Sequence, residues 1–315
     1  MPNLSFDEGK DGRAIAIVRG GANDGDVMYL HEEESKGRRP KATFNKTKYT
    51  KAFPGMKMAE RTKAFARIEE ALNLGHPDTY FESEPHMKTV YQQILADSSK
   101  NTVIELDDSG LFELLPNPDP KKREVYYITG QSGSGKSFIA KQYADYYHKL
   151  FPSRGVYLIS KLQKDETLDK LKFLKRVDID SLVDDYPELD EFNDCLVIFD
   201  DYNTLTKDQE KAVLKLIDDL AIMGRHSVTS MMVLTHHTTN YKQTRLILNE
   251  CTNIVVFPQS TSSHALKHLL VSYVGVDEKD LKRYKKLGSR WLMFSKNYPS
   301  FMVSQRDAEL LHQRE

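Results

Sequence analysis

The sequence has few cysteines and almost no net charge. Its two cysteines, Cys195 and Cys251, have neither the spacing of metal ligands nor a neighbouring base. We therefore expect two buried thiols in a reducing compartment. The formal net charge of the chain is −1. Any contact with nucleic acid must consequently come from local basic stretches, because the whole molecule has no strong field of one sign.

Long apolar runs are also missing. No run approaches the ~20 residues needed to span a bilayer, and the N-terminal stretch MPNLSFDEGKDGR lacks the apolar core of a signal peptide. Internal repeats and low-complexity tracts are absent as well. These absences favour a folded protein of the cytosol or nucleus, or of a particle assembled there.

The sequence predicts a division of the chain into two parts. A length of 315 residues allows about two domains. Pro116, Pro118 and Pro120 lie in one short polar segment, which disfavours helix and sheet pairing and predicts a linker. This separates an N-terminal region, residues 1–120, from a second domain, residues 121–315. The N-terminal region has an α+β pattern and no recognisable functional motif. Its predicted elements are a strand in RAIAIVRGG, helices in KMAERTKAFARIEEALNLG and at 86–96, and strands at 103–106 and 111–115.

The second domain alternates strands and helices, which is typical of an α/β fold with a mainly parallel central sheet flanked by helices. Four of its predicted strands are the apolar runs EVYYIT, GVYLIS, CLVIFDD and SMMVLT. Helical spacing predicts helices after the first of these runs, in ETLDKLKFLK, and from about Thr206 to Gly224, with capping-box spacing between Thr206 and Gln209. The domain is predicted to end in a hairpin formed by RWLMFSK and SFMVSQ.

A glycine-rich loop lies between the first of these strands and its helix. The segment matches the pattern G-x-x-x-x-G-K-[ST]. Glycines let backbone N–H groups converge on phosphate oxygens, and the start of the following helix adds unpaired donors. We therefore expect a bound nucleoside triphosphate, with the lysine at its β- and γ-phosphates and the last serine on Mg²⁺. The predicted binding residues are Gly130, Gln131, Ser132, Gly133, Ser134, Gly135, Lys136 and Ser137.

Two carboxylates end the strand CLVIFDD. Leu196 to Phe199 suit a central parallel strand buried on both faces, and ligands bind at the carboxyl ends of such strands. Asp200 is predicted to hold Mg²⁺. Asp201 is predicted to act on the attacking water. A helix cap or a surface turn is the alternative role for either carboxylate.

Chain order suggests a P-loop ATPase with an additional strand between the loop strand and the acidic strand. A whole strand, residues 156–160, separates the two motifs in sequence. The strand SMMVLT then ends at Thr235 and His236, where such ATPases keep a side chain that senses the γ-phosphate. Either residue could serve, and we favour His236 because a neutral imidazole can donate to a phosphate oxygen or to the water.

Several basic residues could act outside the loop. Arg225, on the short connection before SMMVLT, and Arg245 are both candidates for an arginine supplied to a neighbouring subunit's phosphate. Two stretches free of acids, residues 36–51 and 282–290, could contact DNA phosphates or form an ordinary solvated surface.

With these residues in place, the second domain resembles the genome-packaging ATPases of the nucleocytoplasmic large DNA viruses, the poxvirus-type branch of the FtsK/HerA superfamily of P-loop ATPases. The resemblance covers residues 125–257. It is carried by ITGQSGSGKS, VYLIS, LVIFDD, GRHSVTSMMVLTHH and TRLILNECTNIVVF. The loop and the paired aspartates are common to many P-loop ATPases, whereas the order and the GRH before the sensor strand are more specific.

The resemblance implies an ATP- and Mg²⁺-dependent motor, a homo-oligomeric ring that drives double-stranded DNA into a preformed viral capsid. Its implied partners are DNA and capsid or portal-vertex proteins, in the virus factory of the host cytoplasm or in the virion. Carried across, it implies Mg²⁺ at Ser137 and Asp200, the lytic water at Asp201, a sensor at His236 and a trans arginine at Arg225. Many relatives have glutamate and glutamine where Asp201 and His236 stand.

Other functions share part of this pattern. Another FtsK/HerA-type motor, for plasmid, transposon or chromosome movement, would have the same catalytic residues. A P-loop kinase would usually carry an arginine-rich lid, for which residues 282–286 are a weak candidate. A nucleotide-dependent scaffold without hydrolysis would not need both aspartates.

Overall fold

The computed structural model describes residues 2–32, 49–74, 76–77, 79–99, 103–106, 109–202, 205–239 and 241–311. The strands of this part are β1 Asn3–Ser5, β2 Arg13–Arg19, β3 Val27–His31, β4 Val103–Glu105, β5 Leu111–Leu114, β6 Val125–Thr129, β7 Val156–Ser160, β8 Leu174–Val177, β9 Leu196–Asp200, β10 Ser230–Thr235, β11 Asn253–Val256, β12 Leu292–Ser295, β13 Phe301–Ser304 and β14 Asp307–Leu310. The helices are α1 Met58–Asn73, α2 Pro85–Ser99, α3 Lys136–Leu150, α4 Ile179–Asp184, α5 Lys207–Met223, α6 Tyr241–Glu250, α7 Ser263–Leu269 and α8 Leu281–Lys286.

A ten-stranded sheet forms the centre of the protein, in the order β4-β14-β13-β12-β11-β6-β10-β9-β7-β8. The strands from β11 to β8 are parallel to one another, and the strands from β12 to β4 continue the sheet in antiparallel pairs. The predicted α/β class with a mainly parallel sheet is confirmed. All parallel strands have their carboxyl ends at one edge, which is where ligands bind in such sheets.

Alternation along the central strands sends side chains into two cores. In β6, Tyr126 and Ile128 face a core shared with α3, whereas Val125 and Tyr127 face a core shared with α5, α6 and α7. Both faces of the parallel sheet are therefore covered. This double burial explains why the central strands read as continuous apolar runs rather than as alternating ones.

The N-terminal residues form a smaller four-stranded antiparallel sheet, in the order β1-β3-β2-β5. Its buried side chains, including Val18 and Phe112, belong to the same core as Tyr126 and Ile128. Strand β4, also from the first 120 residues, pairs with β14 at the edge of the large sheet. The first 120 residues thus supply the whole of the small sheet and one edge strand of the large sheet, and a common core joins the two sheets.

Helices α1 and α2 pack on each other and have a separate small core. Phe65, Ile68, Phe81 and Tyr91 are among its buried side chains. These helices match the predicted ones, and the predicted C-terminal hairpin is present as β12 and β13. Because this core contains none of the side chains of the two sheets, the helical pair is a unit of its own.

Two predictions of local structure were wrong. The segment ETLDKLKFLK was predicted to be a helix, but Leu174–Val177 forms the edge strand β8 beside β7. Its exposed charged side chains, Lys175 and Arg176, suit an edge strand, where charge discourages pairing with another chain. In addition, the predicted extra strand between the loop strand and the acidic strand is present, but it is β10 and not the strand at 156–160, β7, which lies on the far side of β9.

The predicted burial of the two cysteine thiols is confirmed. Cys195 and Cys251 are both buried and unpaired. No helix in the part of the chain that the structure covers combines the length and apolarity needed to cross a membrane.

Candidate functional site

The glycine-rich loop occupies residues 130–135, between the carboxyl end of β6 and the start of α3. The first N–H of the loop, on Gly130, donates to the carbonyl of Thr235 at the end of β10, at 3.2 Å. Strand β9 ends beside β10 with Asp200. Three neighbouring strands therefore bring the loop, the aspartates and His236 to the same edge of the sheet.

Two glycines of the loop have backbone angles that other residues rarely adopt. Gly133 has a φ of 73° and Gly135 a φ of 115°. Gly130 is required for a different reason, because a methyl group on its Cα would lie 2.7 Å from Phe257 Cδ2 and 2.8 Å from Ser134 Oγ. Gly133 and Gly135 are thus favoured because a side chain would strain their backbone, and Gly130 is favoured because a side chain would clash with Phe257 and Ser134.

Lys136 is the first residue of α3 and is only 6% exposed. Its ammonium group donates to the carbonyls of Gly130, at 3.0 Å, and Gln131, at 3.2 Å. Burial lowers the pKa of Lys136, while the nearby carboxylates Asp200 and Asp201 raise it. The lysine thus lies inside its own loop, held by groups that a phosphate could replace.

Ser137 and Asp200 form the second pair of the site. The Ser137 hydroxyl donates to Asp200 Oδ2 at 3.2 Å, and the Asp201 N–H donates to Asp200 Oδ1 at 3.0 Å. Burial of Asp200, followed by the charge of Asp201, raises the pKa of Asp200 to about 7. A hydroxyl and a carboxylate at this distance are oxygen ligands of the type that Mg²⁺ prefers.

Asp201 and His236 form a third pair beside Lys136. His236 Nε2 lies 3.2 Å from Asp201 Oδ1, and His236 Nδ1 lies 3.4 Å from Lys136 Nζ. Asp201 has a φ of 50°, in the left-handed region that aspartate tolerates better than most residues. Thr235 is buried, and its hydroxyl accepts from the His237 N–H at 3.1 Å. His236 is therefore the accessible one of the two candidate sensors.

The structure does not bring the candidate trans arginine Arg225 to this site. Arg225 is exposed and precedes β10, so it lies at the edge of the sheet opposite the glycine loop. The length of β10, six residues at roughly 3.3 Å each, separates the two edges. Arg245 is exposed on α6. Arg225 could therefore reach a phosphate only in another copy of the chain, and both roles stay predictions.

The two basic stretches differ in how much of each the structure describes. Most of the stretch 36–51 lies outside the described residues. In the stretch 282–290, Arg283 forms a two-pronged pair with Glu309, and Lys285 donates to Ser263 at 2.8 Å. Part of this second stretch therefore supports the fold.

Sequence reasoning missed two side chains on the other flank of the loop. Phe257, directly after β11, is 2% exposed and lies against Gly130. Arg290 precedes β12, and a methyl group on Gly135 would lie 3.8 Å from its Nη2. No sequence motif assigns either position to the nucleotide loop, and the pairing of β11 with β6 and with β12 places them here.

The residues present fit a phosphate-binding loop. Ser134 Oγ is buried and has no hydrogen-bond partner among the described residues. A methyl group on Gly130 would fill the same space. An open cradle lined by an unpaired hydroxyl, a buried ammonium group and a helix start is suited to an anion. Ser137 and Asp200 beside it could hold Mg²⁺ together with phosphate oxygens.

The sheet order and this loop define the class of the protein as a P-loop NTPase with one strand, β10, between the loop strand and the acidic strand. This architecture agrees with the FtsK/HerA-type packaging ATPases that the sequence resembles. A Sputnik virophage protein described as uncharacterized protein V3 is 34% identical to this chain over 227 residues, 71% of this chain and 90% of V3. The chain belongs to the V3 family. No protein-family model matches it.

Solved structures with a similar fold include a viral packaging NTPase and a conjugation coupling protein. The genome packaging NTPase B204 of Sulfolobus turreted icosahedral virus 2, in complex with ATPγS, is 15% identical and covers 60% of this chain and 98% of its own, with a TM-score of 0.39. The pCW3 conjugation coupling protein TcpA with ATPγS is 12% identical and covers 95% of this chain and 78% of its own, with a TM-score of 0.44. At these values, the function has to be argued from the site itself.

Proposed function

We propose that this protein is an ATP-hydrolysing motor that drives double-stranded DNA into a preformed viral capsid. The observation that carries the proposal is the meeting of three pairs at one sheet edge: Lys136 with its loop, Ser137 with Asp200, and Asp201 with His236. A binding protein without hydrolysis would need the first pair. The third pair is what a hydrolytic site adds.

The chain's own groups have distinct roles in hydrolysis. Lys136 exchanges the carbonyls of Gly130 and Gln131 for the β- and γ-phosphates, while the loop N–H groups bind the phosphates further from the reacting end. Ser137 and Asp200 would hold Mg²⁺, which would supply positive charge to offset that of the triphosphate. Both tasks position the terminal phosphate against the end of β10.

Asp201 and His236 then act on the attacking water. Asp201 orients the water and accepts its proton, because its carboxylate is partly exposed and close to the terminal phosphate position that Lys136 marks. His236 Nε2 holds the Asp201 carboxylate in place from 3.2 Å. The histidine also lies next to Lys136, so it can respond to whether the terminal phosphate is present. This is the sensor role that its position at the end of β10 suggests.

The motor part of the proposal rests on the family. V3 is a protein of a virophage, and the sequence motifs resemble those of viral packaging ATPases. In such a motor the subunits form a homo-oligomeric ring around DNA, and Arg225 or Arg245 would complete the site of a neighbouring subunit. Capsid or portal-vertex proteins would be the other partners. A motor of the same superfamily that moves DNA without a capsid would share every site residue named above.

The proposal is tested by ATP hydrolysis with and without double-stranded DNA. We expect Mg²⁺-dependent hydrolysis that DNA stimulates at low salt, and that loses its stimulation as salt rises, because phosphate contacts release counterions. Lys136→Ala should abolish ATP binding. Lys149→Ala, at the exposed end of the same helix, is the matched control and should behave as wild type.

Four results would contradict the proposal at different levels. Failure of the wild-type protein to bind ATP would remove nucleotide binding altogether. Binding without hydrolysis would favour a nucleotide-dependent scaffold. Hydrolysis that double-stranded DNA does not stimulate at any salt concentration would remove the motor. Stimulation that needs no capsid protein and is unaffected by capsids would favour a motor for DNA outside the virion.

A further inference from the structure

Arg290 lies at the nucleotide loop without belonging to any motif. It lies two residues before β12, which starts at the sheet edge where the parallel strand β11 ends. A methyl group built on Gly135 would lie 3.8 Å from Arg290 Nη2 and 3.9 Å from its Cζ. The guanidinium group is therefore beside the last glycine of the loop.

The backbone at Arg290 is firmly held. Its N–H donates to Gln305 Oε1 at 2.8 Å, and the Gln305 N–H in turn donates to Ser289 Oγ at 3.0 Å. The Ser289 hydroxyl donates to the carbonyl of Trp291 at 2.7 Å. These bonds join the start of β12 to the end of β13. A side chain anchored on this rigid hairpin can hold a ligand in one position.

The Arg290 side chain itself is exposed. Within the described ranges, no carboxylate lies within ion-pairing distance of its guanidinium group, whereas Arg283 on the nearby helix α8 is paired with Glu309. Arginine presents a planar fork of donors that matches phosphate oxygens. An exposed and unpaired arginine at a phosphate loop is therefore available for a phosphate.

The sheet order shows which phosphate this is. His236 and Asp201 follow β10 and β9, on one side of the loop strand β6, whereas Arg290 precedes β12 on the other side. Lys136 and the acidic residues mark the terminal phosphate. The loop N–H groups around Gly135 cradle the α- and β-phosphates in sites of this type. Arg290 thus flanks the end of the triphosphate that hydrolysis leaves unchanged.

We propose that Arg290 binds the α- and β-phosphates of the nucleotide, so that it holds ATP and ADP equally and contributes to affinity more than to the chemical step. The inference rests on the proposed nucleotide binding. A charged hydrogen bond of this kind accounts for about tenfold to hundredfold in affinity. Arg290→Ala should therefore lower the affinity for ADP and for the non-hydrolysed analogue ATPγS by about the same factor.

The experiment is a titration of the full-length protein with ADP and ATPγS by calorimetry. Trp291, the single tryptophan of the sequence, provides a second readout, because its fluorescence reports on the hairpin next to the loop. Four variants are compared: Arg290→Ala, Arg290→Lys, Arg306→Ala and Lys136→Ala. Arg306 lies in the turn between β13 and β14 at the same sheet edge, so its replacement removes an equal charge from a neighbouring position.

We expect Arg290→Ala to lose at least tenfold in affinity for both nucleotides. Arg290→Lys should recover part of this affinity, since lysine keeps the positive charge but lacks the planar set of N–H donors of the guanidinium group. Arg306→Ala should keep wild-type affinity. In steady-state hydrolysis, Arg290→Ala should raise KM by a larger factor than it lowers kcat.

Other outcomes are separable. If the wild type binds neither nucleotide, nucleotide binding itself is wrong. If the wild type binds and Lys136→Ala does not, but Arg290→Ala binds as the wild type does, only the role of Arg290 is overturned. A loss confined to ATPγS would place Arg290 at the terminal phosphate instead. Equal losses of nucleotide affinity in Arg290→Ala and Arg306→Ala would show that the positive charge of this sheet edge, and not a specific contact of Arg290, causes the loss.

Discussion

Lys136 and Asp200 are buried ionisable groups whose surroundings disfavour their charge. Burial lowers the pKa of the lysine and raises the pKa of the aspartate to about 7. A bound Mg²⁺-nucleotide would supply charges of opposite sign to both groups. The nucleotide-free protein therefore carries a free-energy cost at this site, and binding removes it.

The raised pKa of Asp200 predicts how stability changes with pH. Because the folded state keeps the proton that the unfolded chain has already lost, stability falls as pH rises from about 4 to about 7. The variant Asp200→Asn has no carboxyl group at this position, so its stability does not fall with rising pH for this reason. Its advantage in free energy of unfolding over wild type should grow by about 2 kcal/mol between pH 5 and pH 8. Urea denaturation in EDTA, without nucleotide, measures it.

Asp184→Asn is the control for this pH experiment. Asp184 is an exposed carboxylate at the end of α4, so its replacement should give no gain that grows with pH. An Asp200→Asn variant whose advantage is the same at both pH values would show that burial does not hold the proton on Asp200.

Helix α5 covers one face of the sheet beneath the acidic strand. Its buried side chains Val213, Leu216 and Leu220 follow helical spacing and pack against the strands β9 and β10. Both ends are capped. Thr206 and Gln209 form a capping box at the start, and Arg123 donates to the carbonyls of Leu220 and Ala221, both at 2.6 Å, at the end.

The capping box gives a prediction for this helix. Thr206 Oγ1 accepts from the Gln209 N–H at 3.4 Å, and Gln209 Oε1 accepts from the Thr206 N–H at 3.1 Å. Thr206→Ala should lower the free energy of unfolding by about 1 kcal/mol, because the helix start loses an acceptor. Thr206→Ser keeps the hydroxyl and should stay close to wild type in the same denaturation measurement. Equal loss in both variants would point to the methyl group instead.

The two sheets share one core, a second core covers the other face of the large sheet, and the helical pair has a third. Phe112 of β5 lies in the core that the small sheet shares with the large sheet and α3, whereas Phe81 lies in the core of α1 and α2. Both side chains are almost completely buried, at 2% and 1% exposure. The N-terminal sheet should therefore unfold together with the nucleotide site, and the helical pair should unfold separately.

Paired substitutions test this arrangement. Phe112→Ala and Phe81→Ala each remove a large buried ring, at a cost of about 3–5 kcal/mol to the unit that contains it. We expect only Phe112→Ala to lower the unfolding temperature of the unit that ADP stabilises in calorimetry. The reverse result, or a single transition lowered equally by both substitutions, would show that the two cores are coupled.

Local sequence patterns were sufficient to predict the loop, its flanking strand and helix, the acidic strand and the α/β class. These features depend on local causes: glycine where φ is positive, a helix start after the loop, and apolar runs where strands are buried on both faces. The sequence also indicated that His236 follows a strand end, which was enough to predict that it lies near the loop.

The contacts between residues on different strands could not be predicted from the sequence and follow from the order of the strands in the sheet. Strand β10, rather than β7, lies between the motif strands, so His236 reaches both Lys136 and Asp201. Arg290 reaches the loop because β12 pairs with β11, and Phe112 shares a core with Ile128 because two sheets pack together. Strand order and packing depend on contacts between distant segments, and no local pattern of side chains encodes them.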